Sequence, residues 1–80
     1  MNSTKYILQS VRIMHYILIF DRTTGRTKQI ISEPDSNKAY ELFKSLDYEY
    51  SEDLAIEVNY LTARDDADLK KVFRRFFLFE

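Results

Sequence analysis

The sequence predicts a single compact α+β domain, built in the order β-β-α-β-α around a three-stranded sheet. Three observations predict it. His15–Phe20 is an unbroken apolar and β-branched run, residues 55–62 alternate with period two, and two later segments repeat apolar residues at i, i+3, i+4 and i+7. With 80 residues, one Gly and one Pro, there is room for one domain and no linker. A 45% apolar and 15% aromatic composition is enough to fold. A chain this short buries only roughly 60–65% of its unfolded surface, so the six Tyr and six Phe must supply much of the core.

Residues 15–20 read as a central strand, because continuous apolar character suits a strand covered on both faces. Asp21-Arg22-Thr23-Thr24-Gly25-Arg26 reads as a hairpin loop, with Asp21 bonding its own backbone and Gly25 taking a left-handed conformation. Residues 26–31 return as a second strand, stopped by Glu33-Pro34. Asp35 or Ser36 then caps a helix running to about Tyr50, with Ala39, Leu42, Phe43 and Leu46 inward and Lys38, Glu41, Lys44 and Asp47 in water. In the third strand Ile56, Val58 and Tyr60 share one face, and Glu57 and Asn59 the other. A second helix starts near Asp65, acidic first and basic later as the helix dipole favours, with Leu69, Val72, Phe73 and Phe76 inward. The simplest packing sets both helices on one face of the sheet. Residues 1–13 fit neither period and read as a fourth strand, its own or a partner's, a short helix or an arm, before a domain spanning 14–80.

The segments His15-Tyr-Ile-Leu-Ile-Phe-Asp-Arg-Thr-Thr-Gly25 and Ile56–Ala63, with a helix ending in Arg75-Phe76-Phe77, resemble a group of short uncharacterised bacterial proteins over roughly residues 14–77. The resemblance implies the same fold and brings no activity. Such proteins often carry a Thr-His pair before the last aromatic turn, where this chain has Val72 and Phe73, so no role for that His transfers.

Composition excludes several functions. The absence of Cys removes disulfides and thiolate metal sites, and a single His precludes an imidazole cage within one chain. No cofactor is expected. A net charge of −1 gives no bulk attraction to nucleic acid or anionic lipid, and no apolar run reaches a membrane span or a signal peptide, which points to the cytoplasm. Asp65, Asp66 and Asp68 suit helix capping better than a cation, since two adjacent residues splay about 100° apart on a helix. His15 and Tyr16 point to opposite faces of a strand, so His15, Tyr16 and Asp21 make a poor acid–base set. Gly25 lacks the further glycines and the helix of a phosphate loop. These absences argue against an enzyme.

Two constellations remain. Phe76-Phe77-Leu78-Phe79 places four apolar residues in a row, more than one helical stripe can bury, so Phe77 or Phe79 emerges unless something covers it. With Phe76, Tyr48 and Tyr50 they form a candidate partner-binding surface, and the expected function is a non-enzymatic protein-interaction module or regulator, self-associating as a homodimer. A host-directed inhibitor of the kind mobile elements encode is one version of that reading. The plainer alternative is a tail folded back over its own sheet edge. Lys70, Lys71, Arg74 and Arg75, set at i, i+4, make a basic stripe; with Arg26 and Lys28 it supports nucleic-acid binding as the alternative function, against the plain reading of a solvated face.

Overall fold

In the computed structural model, which describes residues 13–79, the elements follow in the expected order. They are β1 (Met14–Asp21), β2 (Arg26–Glu33), α1 (Ser36–Glu49), β3 (Ile56–Ala63), α2 (Asp66–Val72) and a closing 3₁₀ turn (Arg74–Phe77). The sheet is antiparallel with order β2-β1-β3, so the apolar run is the central strand. The strand, short helix or arm expected of residues 1–13 lies, apart from Ile13, outside the described residues. Among those described, no helix is long and apolar enough to cross a membrane.

Local chemistry fixes the element ends. Asp21 Oδ1 accepts from the Thr23 N–H at 2.9 Å and from the Thr23 hydroxyl at 2.6 Å, and Gly25 closes the hairpin at φ +72°. That hydroxyl, then the N–H, holds the Asp21 carboxyl below its ordinary range. Asp35 rather than Ser36 caps α1, accepting from the Asn37 and Lys38 N–H groups. Asp65 caps α2 by accepting the Asp68 N–H at 2.8 Å.

The two helices cover opposite faces, and the expectation of one shared face is corrected. The β1–β3 register sets Tyr16, Leu18 and Phe20 on one face with Leu61 and Ala63, and Ile17 and Ile19 on the other with Val58 and Tyr60. The first face forms a core with Leu69 of α2 and Phe76 of the 3₁₀ turn. On the second, the Phe43 ring of α1 meets Tyr60 edge-on at 5.8 Å. The physical reason lies in β1 itself, because five consecutive buried residues from Tyr16 to Phe20 need apolar cover on both sides.

The second helix is also shorter than its apolar spacing suggests. It ends at Val72, which is 61% exposed, and Phe73 breaks it with φ −110° and ψ 54°. The chain then tightens to three residues per turn, and the Phe76 N–H bonds the Phe73 carbonyl at 3.2 Å. Past the break Phe76 enters the core, and Phe73 packs against the same cluster.

Candidate interaction surface

The four consecutive apolar residues at the C-terminus divide between core and surface. Phe76 is 4% exposed, its ring edge-on to Phe20 at 5.2 Å, and its carbonyl accepts the Thr27 hydroxyl at 2.6 Å. It belongs to the protein's own core, which removes it from the partner-binding set. Phe77 is half-buried against that core. Leu78 and Phe79 remain exposed, Phe79 at 57%. The Phe79 ring crosses the hairpin so closely that a Cβ on Gly25 would lie 2.8 Å from it. The tail therefore folds back over its own chain, and between it and β2 runs a shallow cleft lined by Arg26, Thr27, Ile30, Phe76 and Phe79. At about 110 Å³ the cleft is below the roughly 300–1,000 Å³ of small-molecule sites.

Tyr48 and Tyr50 do not join this surface. They sit at the C-terminal end of α1, on the other side of the sheet, with Tyr48 83% exposed beside Glu49, Ser51 and Glu52 and Tyr50 half-buried.

The basic stripe is interrupted for the same reason that the helix is short. Lys70 and Lys71 lie on α2, whereas Arg74 and Arg75 lie past the break at Phe73. Lys70 Nζ stands 5.7 Å above the Phe77 ring. Arg75, with its side chain 58% exposed, lies across the outside of the core: it donates to Glu57 at 2.6 Å and stacks 4.0 Å from the centre of the Phe76 ring and 5.5 Å from that of Phe20. Glu57 also accepts from Arg22 at 3.3 Å, and Arg22 donates to the Leu54 carbonyl. Partial burial raises the Glu57 carboxyl, but hydrogen bonds from Asn59 and Arg75 and the charges of both arginines outweigh it and leave the group below its ordinary range. The arrangement ties the hairpin, β3 and the 3₁₀ turn together. Arg22 and Glu57 were not singled out by sequence reasoning; the available signal was one carboxylate inside a strand of otherwise uncharged residues.

The remaining candidates hold structural partners. Tyr16, buried at the centre of the sheet, donates to Asp66 Oδ1 at 2.9 Å. Burial first, then that hydrogen bond and the charges of Asp66, Asp65 and Asp68, push its hydroxyl up to about 12. Asp68 accepts from the backbone and side chain of Arg64, which hold it below the ordinary carboxylate range. The three aspartates thus have three separate duties, and among the described residues no three His, Asp or Glu side chains converge on a common point. His15 Nδ1 lies 2.8 Å from the Tyr60 hydroxyl rather than near Tyr16 or Asp21.

No family model, curated protein or solved structure matches the chain. The surface must be read on its own chemistry. It offers exposed apolar side chains at a fixed place beside a strand, with the basic groups Arg26 and Arg74 close in sequence to the cleft and the tail. Such a surface can hold another protein by burying Leu78 and Phe79.

Proposed function

We propose that the protein is a small non-enzymatic interaction module or regulator of the cytoplasm that binds a protein partner and self-associates. The observation that carries this reading is the pair Leu78 and Phe79, which stay exposed while the residues before them enter the core. Full burial of a Leu or Phe side chain is worth roughly 1.5–3 kcal/mol, and more than half of each remains to be gained here, so the pair offers about 2–4 kcal/mol before association costs. The aromatic ring is held against Gly25, which lowers the entropy lost when a partner covers it.

The test is affinity capture of the tagged protein from host lysate, with and without nuclease, beside Leu78→Asp/Phe79→Asp and Lys71→Glu/Arg74→Glu. Arg75 is left intact because it holds Glu57. The expected result is a protein partner that survives nuclease and is lost with the first pair. Recovery of nucleic acid, lost with the second pair and indifferent to the first, overturns the reading in favour of the basic residues.

A further inference from the structure

The sheet has two outer edges, and they are not equivalent. The β2 edge is defended: its register with β1 shifts between Gln29 and Thr27, leaving Lys28 as the extra residue of a bulge, with Arg26 beside it and the 3₁₀ turn bonded to Thr27. Among the described residues, the β3 edge carries none of these devices. Its eight residues run in unbroken register against β1, without Gly, Pro or Lys, and its one charge, Glu57, is matched by Arg22 and Arg75. A long, regular, nearly neutral edge is a template for another strand.

We propose that this edge takes residues 6–11 of a second copy of the chain, a proposal that rests on the self-association in the function given above. Charge complementarity selects that occupant. The first 13 residues contain Lys5 and Arg12 and no acid, whereas β3, its own Glu57 already paired with Arg22 and Arg75, is flanked by Glu52 and Asp53 before it and by Asp65 and Asp66 after it, with the intervening Arg64 paired to Asp68. Tyr6-Ile7-Leu8-Gln9-Ser10-Val11 between the two bases matches the length of residues 57–62. Laid antiparallel on β3, it brings Arg12 toward Glu52 and Asp53, and Lys5 toward Asp65 and Asp66. Glu52, Asp53, Asp65 and Asp66 are all exposed.

A second copy fits better than the chain's own segment. The chain enters the central strand at Met14 with β2 and β3 already on either side. To reach the outer edge of β3 its own segment would step across two strand spacings, about 9.6 Å, and then run parallel to β3. A segment from another copy is under no such tether, and reciprocal exchange closes a two-fold dimer.

The test uses the full chain, in which no Cys competes. Tyr6→Cys or Ile7→Cys chains are mixed with Thr62→Cys chains under mild oxidation, with Ser32→Cys on β2 as the control, and sedimentation equilibrium follows the Lys5→Glu/Arg12→Glu variant. The expected result is a disulfide between chains to residue 62 and not to residue 32, and dimer dissociation strengthened about tenfold by the charge reversal. Equal cross-linking to both positions, or none, overturns the proposal. A dimer lost with Phe79→Asp and unmoved by the charge reversal overturns this proposal alone, whereas a monomeric full chain overturns the self-association as well.

Discussion

Replacing Gly25 by Ala tests the link between hairpin and tail. Two costs follow from the geometry. The backbone sits at φ +72°, where an L side chain is disfavoured by about 1–2 kcal/mol. The new Cβ would also stand 2.8 Å and 2.9 Å from two atoms of the Phe79 ring, so the ring must leave. Because Phe79 is already 57% exposed, losing its remaining contact costs no more than about 1 kcal/mol. The sum, about 2 kcal/mol, lowers Tm by roughly 8–16 °C in a domain of this size. The assay is urea unfolding of Gly25→Ala, Phe79→Ala and the double variant as a cycle. With the ring gone, Gly25→Ala is expected to cost only the backbone share, leaving a coupling of about 0.5–1 kcal/mol. Gly25→Asn sharpens the test, since Asn tolerates the left-handed region yet still meets the ring. Strict additivity of the two single changes would refute the contact on which the surface is built.

Other consequences are as direct. Phe76→Ala empties a site in the core and should cost about 3–5 kcal/mol in chemical denaturation, against about 1 kcal/mol or less for Phe79→Ala, although both are phenylalanines of one short segment. The raised Tyr16 hydroxyl stays protonated in the fold at pH values where the unfolded chain has lost its proton. Its contribution is therefore complete below pH 10 and disappears as pH rises toward about 12, a loss of about 2–3 kcal/mol that Tyr16→Phe should not show. Glu57 has the opposite sign: its folded-state pKa lies below the ordinary 4.5, so its stabilisation is present above that value and fades as pH falls through the lowered one. Glu57→Gln should flatten the acid limb of the stability curve. Thr27→Val removes the hydroxyl bonded to the Phe76 carbonyl and should cost about 1 kcal/mol, with faster amide exchange in the 3₁₀ turn.

Most of the fold is legible because its signals are local. The run at 15–20, the Asp21 and Gly25 hairpin, the Asp35 cap and the alternation at 56–60 each reflect neighbouring residues, and each element formed there. The relative placement of the helices was less legible, because the apolar stripe of α1 says that it must be covered without saying on which side of the sheet. The burial of both parities of β1 held that information. The break at Phe73 escaped for another reason: i, i+3, i+4 spacing counts apolar positions and does not weigh three aromatic rings competing for one patch of sheet. In the candidate surface, the exposure of Phe79 was readable from the four-residue apolar run, but the seat of its ring on Gly25 joins residues 54 apart. Glu57 and Arg22, 35 residues apart, likewise meet only through the register of the strands.

The two-sided burial of β1 has a consequence for how such a chain can change. Tyr16, Leu18 and Phe20 answer to the layer built by Leu69 and Phe76, while Ile17 and Ile19 answer to the layer on the side of α1. The sheet is a partition between two small volumes, each with its own steric bookkeeping. Substitutions that refit α1 need not be matched by changes around the C-terminal aromatics, so the layer of Leu69 and Phe76 can drift while the opposite half holds the architecture. The five residues of one strand are where that independence ends, and they are the positions at which variation should be most constrained in size.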